Sequence, residues 1–158
     1  MREILFRGKH IDKGFVYGYL GAFKGTTQIY VPFTEEEEKE NEGHFISAIG
    51  GLWYTVIPET VGQFTGLTDK NGKKIFEGDF IKTIHGICKI VFEDGCFGAK
   101  PNIRLFANLR EYMREIKGEC VIVGNVYDNR ELLERWGWQW MNRKSLNRMN
   151  SLQKSGKI

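Results

Sequence analysis

Cysteine is scarce in this chain of 158 residues: there are three, an odd number. Such a set argues against a disulfide framework and for a reducing compartment. Long apolar runs are missing too. None approaches the ~20 residues that span a bilayer. The opening Met1-Arg2-Glu3-Ile4-Leu5-Phe6-Arg7 returns to charge too soon for a signal peptide. The expectation is a cytoplasmic protein with no membrane partner. Histidine is limited to His10, His44 and His85. A nucleophilic cysteine or serine needs a histidine base in reach, and these three suggest no triad. A phosphate loop is absent as well: Gly50-Gly51 lacks the following Lys-Ser/Thr, and no Gly-x-Gly-x-x-Gly opens a helix after a strand.

What is present is ordinary for a globular protein, with 41% apolar and 27% charged residues. The charge is unevenly placed. Residues 142–158 hold five cations (Arg143, Lys144, Arg148, Lys154, Lys157) and no acid, and removing these five from the net +3 leaves −2 for residues 1–141. The acidic stretch Glu35-Glu36-Glu37-Glu38-Lys39-Glu40-Asn41-Glu42 reads as a solvated loop or short helix, because like charges this dense repel one another. A site for a cation or a basic partner is the sharper alternative.

The first ~33 residues read as a meander of short antiparallel strands. Ile4 and Phe6 alternate with charge, Asp12-Lys13-Gly14 is a turn signal, and Phe15, Tyr17, Tyr19 and Phe23 share one strand face. Gly25-Thr26-Thr27 marks a turn before a strand over 28–33. Strands are expected over 45–49 and 52–57, ended by Pro58-Glu59-Thr60, and then over 63–67. Asn71-Gly72 is the strongest hairpin signal, since both central positions of a type I′ turn need positive φ. Strands follow over 80–84 and 87–92, with turns at His85-Gly86 and Glu93-Asp94-Gly95. Leu105, Phe106, Leu109, Met113 and Ile116 recur at spacings of three and four. They predict an amphipathic helix over 102–117, capped by Asn102 and ended by Gly118. A closing strand over 119–127 should be covered on both faces. Asp128-Asn129-Arg130-Glu131 resembles a capping box and predicts a helix from near Asn129.

The stretch Val61-Gly-Gln-Phe-Thr65-Gly-Leu-Thr-Asp69-Lys-Asn-Gly-Lys-Lys-Ile75-Phe-Glu-Gly-Asp79-Phe-Ile81 resembles the signature of the YopX-like family. So do the closing Val121-Ile-Val-Gly-Asn-Val-Tyr127 with Asp128-Asn129, and, more weakly, the opening twenty residues. The family comprises small proteins of prophages and other mobile elements. The resemblance implies an SH3-type barrel in the second half, and it implies no activity. Combined with the pattern, the expected fold is mainly β (α+β). An N-terminal antiparallel region (1–62) precedes an SH3-like small barrel with an inserted helix (63–132) and a helical, tryptophan-containing basic segment (133–158).

Chemistry has few candidates. Glu77-Gly78-Asp79 offers paired carboxylates for a hydrolase, against the plainer reading of a turn into a strand. His85, Cys88, Cys96 and Cys120 form the one metal set to weigh, but zinc sites repeat a ligand pair two to four residues apart. Here only His85 and Cys88 make such a pair. Cys88, beside Ile90 and Phe92, and Cys120, beside Ile122 and Val126, read as core residues. No catalytic residue, cofactor, metal or disulfide is expected. Leu133, Trp136 and Trp140 share a helical face, with Trp138 off it, and form a candidate interface. That segment reads as docking on its own domain or on a second subunit. Nucleic-acid contact through Arg143, Lys144, Arg148, Lys154 and Lys157 is the alternative; a frayed terminus and a membrane surface are lesser ones. The functional expectation is a non-enzymatic binding or assembly module, possible as a homo-oligomer or with a host or phage protein.

Overall fold

A computed structural model describes residues 3–42, 50–101 and 106–134 of the chain. It is mainly β, with two antiparallel sheets and little helix. The chain divides into two compact units, Met1–Leu67 and Thr68–Ile158, and the division falls within a strand.

The first unit, Met1–Leu67, is built from β1 (Phe6–His10), β2 (Gly14–Phe23), β3 (Thr26–Pro32), β4 (Gly51–Thr55) and β5 (Ile57–Thr68). These lie side by side in the order β4-β3-β2-β1-β5. The β2–β3 hairpin closes on Lys24 (φ 47°) and Gly25 (φ 79°), the two positive values a type I′ turn requires. β3 leads into α1 (Glu35–Glu40), whose Thr34–Glu37 capping box anchors a helix made of five glutamates and one lysine. Ile29, Val56 and Phe64 are buried, together with Arg7, whose guanidinium lies 4.8 Å from the Phe15 ring centroid. The Pro58-Glu59-Thr60 segment does not end a strand: β5 runs through it. The β1–β5 ladder shifts register between Arg7 and Lys9, and Thr60 bridges the irregularity. Its Oγ1 accepts from the Lys9 amide (2.8 Å) and donates to the Ile57 carbonyl (2.6 Å). A proline is tolerated where the ladder is broken.

The second unit, Thr68–Ile158, contains β6 (Lys74–Phe76), β7 (Asp79–Thr83), β8 (Gly86–Glu93), β9 (Cys96–Lys100), β10 (Ala107–Asn108), α2 (Leu109–Glu115) and β11 (Cys120–Asn125). Its five-stranded sheet runs β10-β9-β8-β7-β11, a meander to which the last strand returns beside the first. Among the described residues the sheet does not close into a barrel. Phe80, Ile81, Cys88, Ile90, Leu109 and Cys120 are fully buried.

The inserted helix is shorter than its periodicity predicts. Asn108, not Asn102, is the N-cap and accepts from the Arg110 and Glu111 amides. Phe106 lies before the helix and is 37% exposed, and Asn102 and Leu105 fall outside the described residues. Leu109, Tyr112, Met113 and Ile116 follow the i, i+3, i+4, i+7 rule and are buried. The closing strand is not covered on both faces, since Val123 is exposed. Phe92 is also exposed, unlike Cys88 and Ile90 on the same strand. Residues 130–134 are helical, so the helix begins directly after Asn129 as expected. Asn129 stands at its N-terminus. Its carbonyl accepts from the Leu132 and Leu133 amides, and its Nδ2 donates to Glu131 (3.0 Å).

Candidate functional site

The sequence candidates separate cleanly. Asp79 is buried, and its carboxylate accepts from the Phe76 amide (2.8 Å). Gly78, at φ 83°, donates to the Ile90 carbonyl and accepts from the Val126 amide, both at 2.9 Å. The Glu77-Gly78-Asp79 turn is thus tied to β8 and to the end of the closing strand. Cys88 and Cys120 are buried and Cys96 is half-buried; all three are free thiols. Cys88 Sγ lies 3.3 Å from the Tyr112 hydroxyl, which also bonds Thr83 Oγ1 at 2.9 Å. Cys120 Sγ faces Met113 Sδ at 3.8 Å. His85 instead approaches Glu115, at 3.7 Å. The structure does not gather His85, Cys88, Cys96 and Cys120 into one set.

Asp69 was not singled out by its sequence context. Asn71 has no positive φ, so Asn71-Gly72 does not form a type I′ turn. Instead one Asp69 carboxylate oxygen accepts from the Asn71 (2.9 Å) and Lys73 (3.0 Å) amides, and the other from Ile122 (3.2 Å). Its carbonyl accepts from the Gly72 amide at 2.9 Å. Aspartate at the first position of such a turn mimics a backbone acceptor. Asp69 therefore fixes the family-like motif to the closing strand, which is a structural role.

Of the expected interface, Leu133 is described and is 37% exposed. Trp136, Trp138, Trp140 and the basic set Arg143, Lys144, Arg148, Lys154 and Lys157 lie outside the described residues.

The surface that sequence reasoning missed is on the first sheet. Alternation along β2 puts Tyr17, Tyr19, Gly21 and Phe23 on one face. Register carries this face across the strands: Tyr19 opposes Tyr30, and Tyr30 opposes Trp53. The three rings form a transverse row, with centroids 6.5 Å apart for Tyr19–Tyr30 and 5.0 Å for Tyr30–Trp53. In the next row Gly21 opposes Gln28, and Gln28 opposes Thr55. A Cβ at Gly21 would come within 2.5 Å of the Trp53 ring, so the missing side chain lets the indole lean over the strand. A recess of about 370 Å³ opens beside it, lined by Ala22, Phe23, Gln28 and Trp53. Tyr19 is 53% exposed, Trp53 52% and Phe23 59%. Monomeric proteins rarely expose contiguous apolar area of this kind, and where they do it marks an interaction site.

A family model described as YopX protein matches residues 6–134, from the first residue of β1 to the end of the described chain. The chain belongs to the YopX protein family. No curated protein matches it. The matched span includes both the YopX motif around Asp69 and the aromatic row, and it stops before Trp136. Among the described residues of this YopX protein, no helix is long and apolar enough to cross a membrane.

Proposed function

We propose that this YopX-family protein works by binding, as a non-enzymatic module of a mobile genetic element in the host cytoplasm, and that the aromatic face of the first sheet is its contact surface. The observation that carries this reading is the Tyr19–Tyr30–Trp53 row, ordered across three strands and yet half-exposed. Ordered aromatic rings supply large contact area at low entropic cost, which suits a pre-formed interface. The carboxylate pair weighed as the hydrolase alternative adds no support for catalysis, because Asp79 is engaged by its own turn. An SH3-like identity for the second unit is part of the same proposal. Its support is the family's expected fold and the β7-β8-β9-β10 meander with β11 returning beside β7. Such folds host binding functions of many kinds.

The test is quantitative recovery of partners from host cells carrying the element, using wild type and Trp53→Ala, each before and after nuclease. Melting curves establish that the variant is folded. Partners lost from the variant, whether protein or nucleic acid, support the reading. An unchanged partner set places the contact elsewhere, with the Leu133–Trp140 segment next in line.

A further inference from the structure

We infer that the aromatic face binds single-stranded nucleic acid, with one base in the recess between Phe23 and Trp53 and its neighbours on the Trp53–Tyr30–Tyr19 row. This rests on the binding role proposed above and names its ligand. Three observations point to that chemistry. First, the recess has two ring walls and one amide, Gln28, whose Nε2 is oriented by Thr55 Oγ1 at 3.4 Å. A side-chain amide offers a donor and an acceptor on one edge, the pairing a base edge presents. A volume of about 370 Å³ is that of a small-ligand site.

Second, the rings continue away from the recess at 5.0 and 6.5 Å spacings in a line across the strands. Successive bases stack on such a platform without sequence preference, since every base has a π face.

Third, the charge on this face suits phosphate. Strands β1 to β4 contain no carboxylate, and with Arg7 buried against Phe15 the lysine they carry is Lys9. Lys9 opposes Phe15 in register, and exposed Lys24 stands at the hairpin tip with its Nζ 5.3 Å from the Phe23 ring centroid. The glutamates of α1 follow Pro32 at the other end of β3, away from that tip. A strand entering beside Lys24 and crossing toward β2 meets cations and rings before it meets acid.

The experiment is fluorescence anisotropy of the full-length protein with a labelled single strand of about 12 nucleotides, and with the same sequence as a duplex. Trp53→Ala and Phe23→Ala should each weaken single-strand binding about tenfold. Trp53→Phe, which keeps a ring, should retain most of it. Duplex binding should be the same in these variants as in wild type. Lys24→Gln should flatten the salt dependence by about 0.7 log units per log unit of salt. Absence of single-strand binding up to about 100 µM overturns the inference. So does equal binding of strand and duplex, or variants that bind as wild type does. Sedimentation showing a dimer that dissociates in Trp53→Ala also overturns it, by assigning the face to a second copy. A nuclease-resistant partner lost from Trp53→Ala sinks only the nucleic-acid assignment and leaves the binding role standing.

Discussion

At the scale of single residues, Asp69 and the buried thiols make the sharpest statements. Burial pushes the Asp69 carboxyl up, but the Ile122, Lys73 and Asn71 amides and the Lys73 charge more than offset it, so it titrates below its ordinary 3.8. A lowered carboxyl contributes stability that is complete above the unfolded value and is lost as pH falls through the folded one. Asp69→Asn is expected to cost about 2 kcal/mol at neutral pH. The gap to wild type should narrow below about pH 4. Urea melts at neutral and acid pH check this, and an equal gap at both contradicts it. The thiols run the other way. Burial raises Cys88 despite hydrogen bonds from Tyr112 and Thr83. Burial, followed by the charges of Asp69, Cys88 and Glu119, raises Cys120 to about 11. Burial and the bond to Cys88 raise Tyr112 to about 12. Acids raised in this way favour folding below their unfolded values, and that contribution fades as pH climbs toward the folded ones. Stability should therefore fall from about pH 9 upward. Under native conditions at about pH 8, maleimide should label half-buried Cys96 before Cys88 and Cys120, as mass spectrometry of the peptides would show.

At the scale of elements, close approach governs the first sheet. A Cβ on Gly18 would sit 2.0 Å from the Tyr30 carbonyl oxygen, a backbone atom that cannot step aside without opening the β2–β3 ladder. Gly18→Ala is expected to cost about 3 kcal/mol or more, read from a denaturant midpoint. At Gly21 the obstacle is the Trp53 side chain. Gly21→Ala should cost about 1 kcal/mol and still displace the indole, separating stability from ligand binding. Much of this architecture was legible, because alternation and turn residues are local signals. The Asp12-Lys13-Gly14 turn, the β1–β3 meander, the apolar spacing of Leu109, Met113 and Ile116 and the helix after Asn129 all follow from neighbours in sequence. Two of the failures involve a partner distant in sequence. Asn71-Gly72 reads as a type I′ turn until Ile122 and Asp69 are seen together, whereas two strand-to-strand turns with paired positive φ are Lys24-Gly25 and Asp94-Gly95. Phe15, Tyr17, Tyr19 and Phe23 were legible as one face, but the row also needs Tyr30 and Trp53, which only register supplies.

At the scale of the whole molecule, opposite charges are held in different parts of one chain. Five cations lie after Asn142 with no acid among them, while α1 carries five glutamates. Under the inference drawn above, stacking on the first sheet requires unpaired bases, whereas phosphate contact through the cations after Asn142 would be salt-sensitive and blind to strandedness. Raising salt should therefore increase the preference for single strand over duplex, and anisotropy across a salt series checks that ratio. Single-strand binding by the aromatic face is tested most directly by nuclear magnetic resonance of the full-length protein titrated with a short single strand. The predicted result is a set of shifts at the Trp53 indole N–H, the Gln28 side-chain amide and the backbone amides of Tyr19 and Tyr30. Shifts confined to residues 142–158, with the first sheet silent, would contradict it.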